Sequence, residues 1–229
     1  MMRTRILIFL AALAVPPSAA AAGIADLSNR DATAGLKEAL LKGSQVAVQR
    51  LGAPNGFFGN DRVRIPLPDS LKQVEGLMRT FGMGKQADEL VLRMNRAAEA
   101  AVPEAKALLV DAVKKMSVQD AKGILTGGDD AATQYFKRTT SGALAQKFLP
   151  IVKKAIDKVK LAEAYDRYAE RGAKFGLLKP EDAKLENYIT RKALDGLYLV
   201  IAEEEARIRK DPVGEASSII KKVFGALGK

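Results

Sequence analysis

The sequence predicts an all-α fold: a single multi-helix bundle of roughly nine or ten helices, broken by one long irregular Gly/Pro-rich loop. Three observations carry this. Apolar residues recur with helical period through almost every segment. Helix start and stop residues punctuate those segments. Alternation of period two is confined to Val63-Arg64-Ile65, a short extended piece at most.

Taken in order, the predicted helices begin with Thr33 to Leu51. The stretch from Gly52 to Pro68 cannot be helical, because it holds Pro54, Asn55-Gly56, Gly59-Asn60, Pro66 and Pro68. A structureless loop of that length is uncommon and often functional. Helices then follow over Asp69 to Phe81 and Gly84 to Ala101. Ala105, Leu108, Leu109, Ala112, Val113 and Met116 mark one face of the next, with Pro103 in its first turn. Ser117 with Asp120 three residues on is a capping pattern for a short helix that stops at Thr126-Gly127-Gly128. Asp129 would cap a helix over Asp130 to Ser141. Ala143 to Val159 follows, with a kink or restart at Pro150. Leu161 to Gly172 and Pro180 to Lys210 come next, the latter stopped by Asp211-Pro212. Ile219, Ile220, Val223, Phe224 and Leu227 define the last helix, with Lys221 and Lys222 near its C-terminus, where the dipole favours cations.

Composition excludes whole classes of chemistry. The 229 residues are 48% hydrophobic and 28% charged, with 37 Lys+Arg against 27 Asp+Glu, a formal charge of +10. Cys, His and Trp are absent. That removes disulfides, thiolate nucleophiles, zinc–thiolate sites, the Ser-His-Asp triad and imidazole metal ligands. No cofactor or metal motif is present, and no residue is singled out as catalytic.

Residues 1–22 read as a signal peptide. Arg3 and Arg5 precede the apolar run Ile6 to Val15; Pro16-Pro17-Ser18 breaks it, and Ala19 to Ala22 offer a small-residue cleavage site. The run is shorter than the roughly 20 residues a membrane span needs. The expectation is a periplasmic or secreted protein cut after Ala22, with residues 23–229 as one all-α domain. Without a cysteine it is no lipoprotein.

Five blocks carry a resemblance. They are Gly56-Phe-Phe-Gly-Asn-Asp-Arg-Val-Arg-Ile-Pro-Leu-Pro68, Met94-Asn-Arg-Ala-Ala-Glu-Ala-Ala101, Ile124-Leu-Thr-Gly-Gly-Asp-Asp-Ala-Ala-Thr-Gln-Tyr-Phe136, Ala193-Leu-Asp-Gly-Leu-Tyr198 and Ile201-Ala-Glu-Glu-Glu205. Together they resemble a bacterial exported family, domain of unknown function 4197, from about Gly35 to Gly225. The resemblance implies a helical exported protein and no reaction. Some members look like lipoproteins, from which this chain departs.

Four groups of residues are candidates for function. Asn95, Arg96 and Glu99 share a helix, with Arg96 and Glu99 placed to pair; they are either the polar edge of a cleft or an ordinary helix ion pair. Glu203, Glu204 and Glu205 with Arg207 and Arg209 form the densest charge cluster. Glu204 falls on the apolar stripe of Leu194, Leu197, Ile201 and Ile208, so burial with Arg207 or Arg96 as partner is expected, while Glu205 should face solvent. With Asp195 upstream, this group reads either as paired carboxylates or as a structural ion pair. Phe57 and Phe58 must fold onto the core or stand exposed as a contact site. Finally, Lys137, Arg138, Lys147, Lys153, Lys154, Lys158 and Lys160 face one acid, Asp157, in their stretch. Lys147, Lys154 and Lys158 share a face suited to an anionic envelope component. Gly127-Gly128-Asp129-Asp130 lacks the residues of a phosphate or calcium loop, and nothing supports nucleic acid. The reading that follows is an exported, non-enzymatic binding or interaction protein, whose partner is an anionic envelope component or another envelope protein. A carboxylate-dependent hydrolase using Glu203 or Glu204, or an anionic-lipid-binding bundle, are the alternatives.

Overall fold

The computed structural model describes residues 28–69, 76, 79–80, 82, 84–157 and 184–226. The expected signal peptide and its cut at Ala22, the helix Leu161 to Gly172, Lys158 and most of Asp69 to Phe81 lie outside them. The described residues are helical, with no strand among them. The elements are α1 (Asn29–Gly52), α2 (Gly84–Ala101), α3 (Ala105–Lys115), α4 (Val118–Leu125), α5 (Ala131–Ile156), α6 (Leu185–Lys210) and α7 (Ser218–Gly225). The expected nine or ten helices are not all seen.

Local chemistry explains most boundaries. α1 starts earlier than expected because Ser28 Oγ accepts from the Asp31 N–H at 3.0 Å. A 3₁₀ turn over Val102–Glu104 carries Pro103 and runs directly into α3. Ser117 and Asp120 form the complete reciprocal cap of α4.

Two expectations are corrected at α5. Asp130–Ser141 and Ala143–Val159 are one continuous helix, with Pro150 inside it. A helical glycine such as Gly142 costs only about 1 kcal/mol, too little to part a helix anchored on both sides by buried Phe136, Leu144 and Phe148. Pro150 and Gln146, the residue whose carbonyl the proline leaves without its helical donor, are both exposed, on the side of the helix away from the buried residues. The second correction is the cap. The N-cap position is Asp130 rather than Asp129, and Asp130 makes no side-chain cap bond; its carboxylate accepts from Gln134 instead, at 2.8 Å.

α6 is the central element. It packs against α5, α1 and α2, and α5 also packs on α2 and α3. Leu185, Ile189, Leu197 and Val200 of α6 are fully buried with Phe136 and Phe148 of α5 and Leu90 and Met94 of α2. Two glycines permit close approach. A Cβ on Gly35 of α1 would stand 2.5 Å from Val223 Cγ2 of α7, and one on Gly196 of α6 would stand 2.7 Å from the ring of Phe57. The second of these is the slot that seats the Gly/Pro-rich loop.

Candidate functional site

The loop is held by α2. Asn95 is buried, and its side-chain amide accepts from the Ile65 N–H at 2.8 Å and donates to the Ile65 carbonyl at 2.9 Å. It thus stands in for a neighbouring strand, satisfying an extended backbone that has no sheet to join. Glu99 Oε1 accepts both the Phe57 and Phe58 N–H groups at 3.1 Å, while its other oxygen takes Arg96. Arg96 also donates to Asn55 Oδ1 at 2.8 Å, which fixes a residue with φ of +67°. Phe57 is fully buried; Phe58 is half-buried, with the Arg64 guanidinium 4.4 Å above its ring. Tyr188 of α6 adds a bond to the Pro66 carbonyl at 3.1 Å. Every polar group named here is spent on holding the loop.

Glu203 and Glu204 belong to a chain of alternating charges. Lys42 and Arg207 both bind Glu215; Arg207 and Arg50 bind Glu204 at 3.0 and 3.2 Å; Arg50 and Arg62 bind Glu203 at 3.9 and 2.9 Å. The chain ties α1, the loop, α6 and the segment after α6 together. Glu204 is buried on Arg207 and Arg50; Arg96, the other expected partner, is engaged with Glu99 instead.

Glu215, only 1% exposed, has the clearest electrostatic signature. Burial alone would push its carboxyl up, but hydrogen bonds and charge from Lys42 and Arg207 outweigh that and hold it below its ordinary value of 4.5. A depressed folded pKa gives stability that is present above the unfolded value and lost as pH falls through the folded one. Glu215→Gln should therefore flatten the acid limb of a plot of urea midpoint against pH below about 5. Identical acid limbs for the two proteins would refute this.

Glu205 does not face solvent, contrary to expectation. Its side chain is 5% exposed, and it accepts from the Ala132 N–H at 3.0 Å and from the Thr133 N–H and hydroxyl at 2.9 Å. It is the missing N-terminal cap of α5, delivered by α6. Arg209, 9% exposed, binds it at 2.9 Å and donates to the Ile124 carbonyl at the end of α4 at 2.8 Å. A carboxylate at a helix start and a guanidinium at a helix end each complement the macrodipole. The single-stripe reading of α6 fails because the helix is covered on two sides, by α1 and by α5.

Glu99, Glu204 and Glu205 therefore do not converge on one site, although Glu204 shares Arg50 with Glu203 and Arg207 with Glu215. Glu99, Glu204 and Glu205 have separate partners, and Asp195 lies on a groove of its own. That groove, about 670 Å³, runs between α5 and α6. The pairs Thr133–Glu205 and Thr140–Tyr198 show that the two helices are antiparallel. From Lys137 to Leu149 the groove spans about 18 Å of helix. Gly142, Ala145, Leu149 and Leu194 give it apolar walls; Lys137, Ser141, Gln146, Asn187, Thr190, Arg191, Asp195 and Tyr198 give it polar groups. Tyr198 is fixed by a 2.9 Å bond to Thr140, and burial pushes its phenol up despite that bond. Thr190 is 5% exposed and its hydroxyl has no partner. A Cβ on Gly142 would meet nothing within 4 Å, so the groove is open above it.

Of the groove residues, the sequence singles out Asp195 beside the acidic cluster, Lys137 in the basic run and Leu194 on the apolar stripe, without bringing them together. A signal for the rest exists: Asn187, Thr190, Arg191 and Asp195 form a polar stripe on α6, opposed by the small residues Ser141, Gly142 and Ala145 on α5. Lys147 and Lys154 are exposed on the side of α5 away from the groove and meet no carboxylate among the described residues.

A family model described as "Protein of unknown function (DUF4197)" matches residues 26–225. No curated protein and no solved structure matches the chain.

Proposed function

The chain belongs to this DUF4197 family, and from that premise we propose that it is an exported, non-enzymatic binding protein of the cell envelope, with the groove between α5 and α6 as its ligand site. The groove itself carries the reading: it is concave and of ligand size, with apolar walls at Ala145, Leu149 and Leu194 and polar side chains such as Asn187 and Asp195 along one wall. Export rests on the sequence, whose charged start, apolar run and small-residue site occur together. Among the described residues no helix is long and apolar enough to cross a membrane. The hydrolase alternative loses support because Glu203 and Glu204 each lie against two guanidiniums in the charge chain that joins α1, the loop and α6, and neither lines the groove.

The test uses a neutral apolar dye, Nile red, whose fluorescence rises on entering the groove. Gly142→Leu should abolish that rise with the circular dichroism unchanged, because the added side chain enters open space and removes a helical glycine. Equal dye binding by both proteins would dismiss the groove. Export is checked separately: N-terminal sequencing of the envelope fraction should begin at Gly23, and an intact Met1 on cytoplasmic protein would overturn that half of the proposal.

A further inference from the structure

We infer that a second site lies on the outer face of the Gly/Pro-rich loop, where Arg64 binds the carboxylate of a small apolar monocarboxylic acid. It is independent of the groove between α5 and α6. The loop supplies the starting point. From Val63 to Leu67 burial alternates: Val63, Ile65 and Leu67 are buried, with Arg64 and Pro66 exposed between them. Asn95 of α2 anchors this stretch at Ile65 and Tyr188 of α6 anchors it at Pro66, so the direction of its outward side chains is fixed by what is held inward. Arg64 and Pro66 there border a cavity of about 320 Å³, with Leu67 and Val91 also in its wall. That volume is at the small end of the range for ligand sites.

Charge selects the ligand. Arg62, the other arginine of the loop, is spent on Glu203 at 2.9 Å. Arg64 instead lies over the Phe58 ring, 4.4 Å from its centre, and makes no ion pair among the described residues. Contact through the ring face braces the guanidinium and leaves its N–H donors open, without an acceptor among the described residues. A braced guanidinium with open donors is the fork that takes a carboxylate by two parallel hydrogen bonds. Asp88 does not fill that role. Arg79 binds it at 2.6 Å and holds its carboxyl below the ordinary value of 3.8, with the charge of Arg64 adding a smaller pull. Arg64 and Arg79 against Asp88 leave the cavity one positive charge in excess, which matches a monoanion better than a phosphate dianion. Pro66, Leu67 and Val91 give the rest of the ligand an apolar wall that a bare inorganic anion would leave uncovered.

The test is an NMR titration of the isotope-labelled protein with isovalerate, read at the Arg64 side-chain N–H signals and at the Phe58 and Val91 amides. Isoamyl alcohol, which shares the body and lacks the charge, and inorganic phosphate, which has charge and no body, are the comparisons. Isovalerate should bind roughly ten-fold more tightly than either, the difference a charged hydrogen bond is worth. Arg64→Gln should remove that preference at the two amides; the side chain is exposed and unpaired, so the urea midpoint should not move. Arg64→Lys keeps the charge but not the planar fork, and should lose most of the preference. Gly142→Leu alters the other groove and should bind isovalerate as the parent does. Unchanged isovalerate binding by Arg64→Gln, or phosphate binding as tight as that of the acid, would overturn the assignment. Loss of binding in Gly142→Leu would move the acid to the groove and overturn it too. No shift at these signals in millimolar isovalerate would dismiss the site.

Discussion

Replacing Glu205 by alanine is expected to destabilise the protein by about 3–5 kcal/mol, the range for removing one member of a buried, hydrogen-bonded ion pair. The substitution does two things at once. It strips the first turn of α5 of its acceptor, leaving the Ala132 and Thr133 N–H groups buried and unbonded. It also leaves the nearly buried Arg209 with only the Ile124 carbonyl. Glu205→Gln keeps acceptor capacity at the helix start and loses the charge, so its cost should be smaller. Glu38 is exposed on α1 and serves as the control, with Glu38→Ala within about 0.5 kcal/mol of the parent. Urea unfolding of the three variants decides it; a Glu205→Ala effect no larger than that of Glu38→Ala would show that the clamp is energetically silent.

Glu99→Ala should cost about 2–4 kcal/mol, because a buried and a part-buried backbone donor both lose their acceptor. Arg96 is part-exposed and can turn to water, so it adds little. The effect should be local as well as global: hydrogen exchange at the Phe57 and Phe58 amides should accelerate beyond that of the α2 amides. Glu99→Gln retains an acceptor for both amides and should restore most of the loss. If Glu99→Gln is as damaging as Glu99→Ala, charge on Arg96 matters more than the amide bonds, and the account of the loop is wrong.

These two positions also show what the sequence disclosed and what it withheld. The helices were legible wherever a chemical signal is local. Gly84–Ala101 and the Ser117/Asp120 cap are read from residues within a turn of one another. Arg96 and Glu99 were readable as a pair for the same reason. What those side chains do was not readable, since their partners lie some forty residues away, at Asn55, Phe57 and Phe58. The phase of α6 misled in a definite way. One apolar stripe, through Leu197, Ile201 and Ile208, predicts one buried face, and a helix at the centre of a bundle has more than one. Glu205 therefore looked like a solvent residue when it faces α5. Arg50, Arg62 and Glu215 were missed because each carries charge in a stretch where charge is ordinary; only the meeting of α1, the loop and α6 gives them a common role.

The cap of α5 has a consequence for how the chain acquires its shape. Ala132 and Glu205 are separated by 73 positions, so on a ribosome the start of α5 is made long before the group that completes it. A nascent chain that ends short of Glu205 has an α5 with open donors and an α4 whose last carbonyls lack Arg209. Contacts of such long sequence separation form late and slow folding, because the intervening loop must close before they repay it. The N-terminal two-thirds of the protein is thus kept from settling until α6 arrives, and any fragment or shortened variant lacking the end of that helix inherits the same unfinished state.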